Sequence, residues 1–312
     1  FHRWRPDRLV KEMSAQRLIL GASGLLGREI VRYFGEAGTI ATYAGTKASG
    51  LRKFDVLSDD IDPLLADLMP GSPVFVLMGV TEIDQCARAP STSNALNVEA
   101  TIQTIERVIQ FDLLPVYISS DSVFDGDAGH YAEGDQTNPL HLYGRQKLEV
   151  ERFILNSGKQ HLILRLPKVV SAFPERGTLF SDWLDAIRRE EKVRCAEDQL
   201  FSPILISDVS RTIASLIDAK RFGLFHLAGP ETWSRADLFE LLIDKLGAVP
   251  HRMERCSIRD FPELSEVRPL NCTLNTGKIK TELGSNFSTT SMESVCAAIA
   301  RNYSTEFADH SK

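Results

Sequence analysis

A glycine-rich turn between a short strand and a helix is the feature of this sequence that most restricts its fold. The apolar run Gln16–Leu20 predicts a strand, and it leads directly into Gly21-Ala-Ser-Gly-Leu-Leu-Gly27. An amphipathic helix is predicted to follow. In such a unit the first glycine permits the tight turn, the second lets the backbone approach a pyrophosphate, and the third lets helix and strand pack closely.

We therefore predict that this turn binds a dinucleotide. The N-terminus of the helix would offer N–H groups and the positive end of its dipole to the phosphates. A glycine triplet alone can be a mere turn, so the prediction depends on its place between strand and helix. The cofactor contacts expected from this segment are Gly21, Ser23, Gly24, Leu25, Leu26 and Gly27.

Strands and helices alternate through residue 166, which predicts a doubly wound parallel α/β sheet. The predicted strands are Gln16–Leu20, Thr39–Tyr43, one ending at Phe54–Val56, Pro73–Met78, Val116–Ser119 and His161–Leu166. The predicted helices include Ile61–Met69, Thr92–Gln110 and Leu142–Asn156.

The pattern loosens after Pro167, where we expect a smaller, mainly substrate-binding part. Residues 13–166 are predicted to form the dinucleotide-binding domain, and residues 167–312 the second part, with some elements returning to the first. Further helices are predicted at Leu179–Arg189, Asp208–Ala219 and Arg235–Leu246, a strand at Gly223–Leu227, and helix N-caps at Ser207 and Ser234. Residues 1–12 are interpreted as a tag remnant or an extension.

A tyrosine and a lysine one helical turn apart follow the strand Val116–Ser119. The strand should end beside Ser120, at the sheet edge where open α/β folds place their chemistry. Tyr143 and Lys147 share one face of the next predicted helix. A nearby ammonium lowers the pKa of a phenol from about 10, and Ser120 could hold the reacting oxygen. These three residues are the candidate catalytic set for proton transfer between a carbonyl and an alcohol.

The same Tyr-x-x-x-Lys spacing occurs once more, at Tyr43 and Lys47. There it falls where a strand gives way to a loop, and no serine-bearing strand end precedes it. We interpret this second pair as coincidence. The alternative for Tyr143 and Lys147 is a plain solvated helix face, and their context argues against it.

The expected cofactor is NADP(H), with NAD(H) as the open alternative. Strand Thr39–Tyr43 is followed by no acid of the kind that binds the ribose of NAD, while Lys47 or Arg52 could pair with a 2′-phosphate. The alternative is that Lys47 is a solvated loop lysine. Asp55 is a candidate contact of the adenine, and the further predicted cofactor contacts are Val56, Met78, Gly79, Val80, Asn97, Tyr143 and Lys147. For Asn97, the sequence indicates a structural role through buried amide hydrogen bonds at least as strongly as a catalytic one.

Composition excludes several other classes of protein. The net charge of −6 and the lack of a basic stripe argue against nucleic-acid binding. No apolar run approaches the ~20 residues that span a bilayer. The five cysteines are scattered and the seven histidines have no metal-ligand spacing, so we expect reduced cytoplasmic thiols and no metal site. A homodimer is compatible with the sequence, which leaves the oligomeric state open.

Several motifs in order resemble the extended short-chain dehydrogenase/reductases, and within them the dTDP-4-dehydrorhamnose reductase branch of nucleotide-sugar reductases. The motifs are GASGLLG (21–27), SSDSVFDG (119–126), NPLHLYGRQKLEVE (138–151), GLFHLAG (223–229) and RPLNCTLNTGKI (268–279). The resemblance implies a Rossmann fold and the reduction of a 4-keto nucleoside-diphosphate sugar. It further implies that Tyr143 gives the proton, that Lys147 holds the nicotinamide ribose, and that Ser120 hydrogen-bonds the carbonyl.

Three positions depart from that branch, and all three are expected to face the sugar or the nicotinamide. Ser122 stands where a tyrosine is usual, Val80 where a histidine is common, and Lys168-Val-Val where an aromatic pair is usual. Lys168 could instead meet a diphosphate or an acidic sugar. The candidate substrate contacts are Thr81, Asp121, Ser122, Lys168 and Arg268.

Two other functions remain compatible with the sequence. An epimerase or 4,6-dehydratase usually has an Asp-Glu pair after the catalytic hydroxyl, and Asp121-Ser122 lacks the glutamate. A non-catalytic NADP-binding subunit is the other alternative, because the regulatory subunit of methionine adenosyltransferase resembles the same branch and keeps the Ser-Tyr-Lys set. Fold alone does not separate these functions.

Overall fold

Short apolar runs in this chain form the buried strands of a seven-stranded sheet. A computed structural model describes residues 16–45, 47–173, 177–247 and 252–310. The strands of the sheet are β1 (Arg17–Leu20), β2 (Thr39–Tyr43), β3 (Arg52–Lys53), β4 (Pro73–Val76), β5 (Leu114–Ser120), β6 (Leu162–Leu166) and β11 (Gly223–His226). Their order is β11-β6-β5-β4-β1-β2-β3.

The sheet reverses its strand order on either side of β1, as a doubly wound sheet does. Strands β1 and β4 pair in parallel, as do β1 and β2, β2 and β3, and β4 and β5. This confirms the predicted α/β fold class. Ligands of such folds bind outside the carboxyl ends of the strands, near the reversal point.

Helices are the second kind of regular element in the described chain. They are α1 (Leu25–Phe34), α2 (Asp62–Leu65), α3 (Ile83–Arg88), α4 (Pro90–Asn94), α5 (Thr101–Gln110), α6 (Leu142–Asn156), α7 (Leu179–Arg188), α8 (Ile206–Asp218), α9 (Arg235–Leu246), α10 (Gly277–Leu283) and α11 (Met292–His310). Residues Ala95–Ala100, between α4 and α5, form a π-helical turn.

The described chain divides into two compact units, and the chain passes between them several times. The first unit contains the residues up to Ser119, Gln146–Leu164 and Phe222–Leu224; the second contains Ser120–Arg145, Arg165–Arg221 and the residues from Phe225 on. The first unit buries an aliphatic core to which β1 and β4 contribute Leu18, Leu20, Val74 and Val76. Each such side chain stabilises the fold by about 1.5–3 kcal/mol relative to an exposed one.

The second unit has its own core around α7, α9 and α11. It contains three short strand pairs: β7 (Val169–Val170) with β10 (Ile204–Leu205), β8 (Lys192–Ala196) with β13 (Arg252–Cys256), and β9 (Leu200–Phe201) with β12 (Trp233–Ser234). The ring of Trp183 packs edge-on against Phe180 and Phe239, at centroid distances of 5.7 and 5.2 Å. Such edge-to-face pairs add to the stabilisation from buried area.

Three local predictions were wrong. The third strand is Arg52–Lys53, before the predicted Phe54–Val56. The helix predicted over Ile61–Met69 is shortened to a single turn, α2. Ser207 is not an N-cap, because α8 begins one residue earlier and Leu205 occupies the cap position. Residues 1–12 lie outside the described part of the chain.

No helix in the described ranges is long and apolar enough to cross a membrane. All five cysteines are buried with free thiols. Among the residues that the structure describes, no three His, Cys, Asp or Glu side chains form a group able to hold a metal ion.

Ser234 and Ser207 provide a matched test of helix capping. The Ser234 hydroxyl accepts a 3.0 Å hydrogen bond from the N–H of Asp237, as predicted for the cap of α9. We expect Ser234→Ala to lower the free energy of unfolding by about 1 kcal/mol. Ser207→Ala should change it by less than about 0.5 kcal/mol. Urea denaturation of both variants measures the difference, and equal effects would contradict the cap assignment.

Candidate active site

The glycine turn between β1 and α1 is held by contacts that exclude side chains at two of its three glycines. Gly21 has a φ of +81°, and a Cβ atom there would lie 3.0 Å from the amide nitrogen of Met78. A Cβ at Gly27 would lie 2.6 Å from the Cα of Ala22 and would overlap the carbonyl oxygen of Gly21. These two glycines are therefore required by the chain's own packing.

Gly24 differs, because the protein itself does not need a glycine there. A Cβ at this position would meet only the carbonyl oxygen of Gly21, at an ordinary 3.4 Å. Gly24 is also the N-cap residue of α1, whose first turn has no capping side chain and no acidic residue. The exposed cap and the uncapped N–H groups form a cradle that fits a phosphate group.

The neighbouring predicted cofactor contacts Ser23, Leu25, Leu26 and Val56 are all partly buried. The carbonyl of Ser23 accepts a hydrogen bond from the guanidinium of Arg28. Lys47 is exposed in the loop after β2.

Asp55, the predicted adenine contact, organises its own turn. Its carboxylate accepts a 3.0 Å hydrogen bond from the N–H of Leu57, and its own N–H donates to Asp59. An adenine contact by Asp55 therefore remains a prediction.

Asn97 holds the backbone that follows β4. Its Oδ1 accepts from the N–H of Val80 at 2.8 Å, and its Nδ2 donates to the carbonyl of Val80 at 2.9 Å. Gly79 lies against the same side chain, since a Cβ there would be 2.9 Å from Asn97 Oδ1. The structure thus brings the predicted residues Gly79, Val80 and Asn97 together, with Asn97 as the residue that positions the other two.

Lys147 lies at the inner side of α6, partly buried in the first unit. Its Nζ donates a 2.9 Å hydrogen bond to the carbonyl of Ile118 and lies 4.8 Å from the centroid of the Tyr117 ring. Burial lowers the pKa of Lys147 to about 8, and the Glu151 carboxylate opposes that shift. An ammonium with so reduced a pKa is a common feature of functional sites.

Ser120, Asp121 and Ser122 form a polar turn at the end of β5. The Ser120 hydroxyl donates to Asp121 Oδ1 at 2.9 Å and accepts from the N–H of Ser122 at 3.2 Å. Burial raises the pKa of Asp121 to about 6, while hydrogen bonds from Ser120 and Ser122 and the charge of Lys168 oppose that rise. The proton of Ser120 is therefore directed at a carboxylate that titrates near neutral pH.

The first turn of α6, which carries Tyr143, lies directly against Ser122. A Cβ at Gly144 would overlap the carbonyl oxygen of Ser122 and would lie 2.9 Å from Cβ of Pro139. His141 precedes the helix, and its Nδ1 accepts from the N–H of Gly144 at 3.1 Å. Its ring is nearly parallel to that of Tyr143, with the centroids 6.2 Å apart. Gly144 and His141 thus hold the first turn of α6, which carries Tyr143.

The predicted substrate contacts are less closely grouped. Arg268 lines an open cavity of about 450 Å³ in the second unit, together with Asp125 and Phe261. Lys168 is exposed, but its charge is close enough to Asp121 to oppose part of the rise in the pKa of that carboxyl. Thr81 is exposed. Asp121, Ser122 and Lys168 are therefore neighbours in the structure, whereas nothing places Thr81 or Arg268 with them.

The sequence prediction missed His141, Gly144 and Gln146. A glycine inside a predicted helix costs about 1 kcal/mol relative to alanine, so Gly144 carried a readable sign of close approach. His141 had no comparable sign, although its partner Gly144 is only three residues away. Gln146 had none because the partner of its side-chain oxygen, Asn97, lies 49 residues away in the sequence.

Comparisons with known proteins show which family the chain resembles. The family model described as RmlD substrate binding domain matches residues 15–302. The probable low-salt glycan biosynthesis reductase Agl14 of Haloferax volcanii is 27% identical over 275 residues, which cover 85% of this chain and 91% of that protein. The methionine adenosyltransferase 2 subunit beta of Rattus norvegicus is 26% identical over 279 residues, covering 86% and 82%.

A solved structure extends the similarity to three dimensions. The crystal structure of a hypothetical dTDP-4-dehydrorhamnose reductase from Sulfolobus tokodaii superposes with a TM-score of 0.77 at 25% sequence identity. The match covers 89% of this chain and 98% of that one.

Gly24 and Gly27 are expected to respond differently to alanine. Gly27→Ala should lower the free energy of unfolding by about 3 kcal/mol, because backbone atoms must move. Gly24→Ala should cost at most about 1 kcal/mol of stability but weaken NADPH binding about tenfold or more. Thermal unfolding and calorimetric titration with NADPH measure the two effects. Wild-type affinity in Gly24→Ala would show that the turn does not hold the phosphates.

The raised pKa of Asp121 sets a pH dependence of stability. The pKa of Asp121 is about 6 in the folded chain, against 3.8 for an aspartate carboxyl in the unfolded chain, so protonation favours the folded state. The stabilisation of the folded state by the protonated Asp121 carboxyl is fully present below pH 3.8 and is lost as the pH rises through 6. We expect the stability of Asp121→Asn relative to the natural chain to increase between about pH 4 and pH 6. Urea denaturation across this range measures it, and a pH-independent difference would contradict the raised pKa.

Proposed function

Because the chain belongs to the RmlD substrate binding domain family, we propose that it catalyses the NADPH-dependent reduction of a 4-keto nucleoside-diphosphate sugar. The chain is a dTDP-4-dehydrorhamnose reductase-like member of the extended short-chain dehydrogenase/reductases. The observation that carries the proposal is the presence of Tyr143 and Lys147 one turn apart on α6, whose first turn lies against the Ser120–Ser122 segment. Membership in the family alone would not distinguish a reductase from a binding protein.

In the proposed reaction, Tyr143 donates a proton to the carbonyl oxygen of the sugar as that oxygen gains negative charge. Lys147 is proposed to favour the phenolate that Tyr143 leaves behind, because a cation near a phenol stabilises its charged form. With a pKa of about 8, Lys147 is mostly protonated at neutral pH. General acid catalysis of this kind contributes about 10²–10⁴-fold to a rate.

Ser120 is proposed to hydrogen-bond the same carbonyl oxygen. In the structure its hydroxyl proton points to Asp121 Oδ1, at 2.9 Å. A carbonyl oxygen can receive that proton only when the hydroxyl rotates away from Asp121, and this rotation costs less when Asp121 is protonated and is a weaker acceptor. Asp121 thereby controls whether Ser120 is available as a donor.

The glycine turn and α1 are proposed to hold the dinucleotide, with Gly24 facing its pyrophosphate. When bound, the reduced nicotinamide supplies a hydride for the sugar's carbonyl carbon. Lys47, exposed after β2, is proposed to meet the 2′-phosphate, which favours NADPH over NADH. Val80 and Gly79, held by Asn97, are proposed to border the cofactor. Residues 167–312 are proposed to provide most of the substrate contacts.

A non-catalytic NADP-binding subunit is the second candidate function. The similarity to methionine adenosyltransferase 2 subunit beta supports it, because that similarity spans 86% of this chain. An epimerase or dehydratase has weaker support, since Ser122 follows Asp121 where a glutamate would be needed for acid–base work on the sugar.

Tyr143→Phe is the variant that tests the proposed acid. With NADPH and a panel of 4-keto nucleoside-diphosphate sugars, loss of nicotinamide absorbance reports turnover. Tyr143→Phe should lower kcat about 10²–10⁴-fold while NADPH still binds. Tyr43→Phe is the matched control, because Tyr43 and Lys47 have the same spacing at the end of a strand, and it should retain wild-type kcat.

Two outcomes of this assay would overturn the proposal. Wild-type turnover in Tyr143→Phe would remove Tyr143 as the acid. Tight NADPH binding without turnover of any sugar by the natural chain would favour the non-catalytic subunit.

A further inference from the structure

A chain of buried side-chain hydrogen bonds connects the backbone after β4 to α6 within the first unit. Asn97 Nδ2 donates to Gln146 Oε1 at 2.8 Å, and Gln146 Nε2 donates to Ser93 Oγ at 2.9 Å. Ser93, Asn97 and Gln146 are 1%, 5% and 2% exposed. Buried polar groups in such a network are costly to leave unsatisfied, so the side chains have one preferred arrangement.

The direction of each hydrogen bond follows from backbone groups at the two ends. The Ser93 hydroxyl donates to the carbonyls of Cys86 and Pro90, at 3.2 and 3.1 Å, so its oxygen is left to accept from Gln146. This fixes which end of the Gln146 amide faces Asn97, because an amide has a donor end and an acceptor end.

The same logic fixes Asn97. Gln146 presents an oxygen, so Asn97 must present its NH₂ group to it, and its oxygen then faces the N–H of Val80. If the Asn97 amide were turned over, its oxygen would face the Gln146 oxygen and its NH₂ group would face the N–H of Val80. Neither pair can form a hydrogen bond. Asn97 is therefore held in the only orientation that clamps both backbone groups of Val80.

The backbone of Asn97 adds a second constraint. Asn97 lies in the π-helical turn Ala95–Ala100, where i→i+5 backbone hydrogen bonds replace the regular i→i+4 pattern. The hydroxyl of Thr101 donates to the carbonyl of Leu96 at 2.8 Å. The bulged turn sets the position of Asn97, and the rotation of its amide is set by its hydrogen bonds to Val80 and Gln146, of which Gln146 is the side-chain partner.

We propose that Gln146 is a positioning residue: it orients Asn97, and through Asn97 it fixes Gly79 and Val80 beside the cofactor. Gln146 immediately precedes Lys147, so the same turn of α6 that carries the ammonium also sets the Val80 backbone. The geometry stands independently, whereas the consequence for NADPH rests on the proposed function.

The direct test is amide hydrogen exchange at Val80, measured by NMR in the full chain without cofactor. Gln146→Met keeps length and helix propensity but removes both hydrogen bonds. We expect exchange of the Val80 amide to accelerate about tenfold or more, while Val74–Val76 in β4 stay protected. Glu149→Met is the matched control on the exposed side of α6, and its Val80 amide should exchange at the same rate as in the natural chain.

Affinity for NADPH provides the second readout. Gln146→Met should raise the Kd for NADPH about tenfold, measured by calorimetry well below its Tm, whereas Glu149→Met should leave it unchanged. A residue that served only stability would lower Tm without moving either readout in the folded protein. Unchanged Val80 exchange in folded Gln146→Met would overturn the proposal.

Ser93→Ala keeps the inference testable if Gln146→Met fails to fold. This variant leaves the Asn97–Gln146 bond in place but removes the acceptor that orients Gln146. A smaller acceleration of Val80 exchange, about threefold, is expected, and no acceleration would contradict the proposed order of the network. If the natural chain shows no reductase activity, the proposed function is refuted, but the exchange result at Val80 still tests the role of Gln146.

Discussion

The account depends on the close seating of α6, which is possible only because residue 144 has no side chain. Its backbone lies against the carbonyl of Ser122, so the first turn of the helix meets the segment that follows β5. Three residues further on, the ammonium of Lys147 donates to the carbonyl of Ile118 within β5. Tyr143 and Lys147 therefore lie one turn apart on α6, which carries Tyr143 in the second unit and Lys147 in the first.

Burial shifts the pKa values of two predicted site residues, Lys147 in the first unit and Asp121 in the second, toward neutral pH from opposite directions. It lowers the pKa of Lys147 to about 8 and raises that of Asp121 to about 6. Each charge is less stable than it would be in water, because the surrounding protein solvates ions poorly. Both groups can therefore change charge within a few pH units of neutrality, a property suited to a site that handles protons.

The local parts of this site could be predicted from sequence, and the long-range parts could not. Gly21, Gly24 and Gly27 identified their turn because the chemistry lies within seven residues of chain. The bounds of α6 were predicted correctly because its apolar spacing is local. Gln146 and Asn97, however, are separated by 49 residues, and neither sequence neighbourhood reveals the other. Ser207 was misassigned as a cap because α8 begins directly after β10. Strand β10 exists through its pairing with β7, which is distant in the sequence.

Transfer of label from the cofactor to the sugar tests the central claim most directly. NADPH carrying deuterium at both C4 positions of the nicotinamide would be incubated with the protein and a 4-keto nucleoside-diphosphate sugar. The account predicts that the product alcohol carries one deuterium, on C4 of the sugar. A sugar recovered unreduced from protein saturated with NADPH, for every 4-keto sugar supplied, would contradict it.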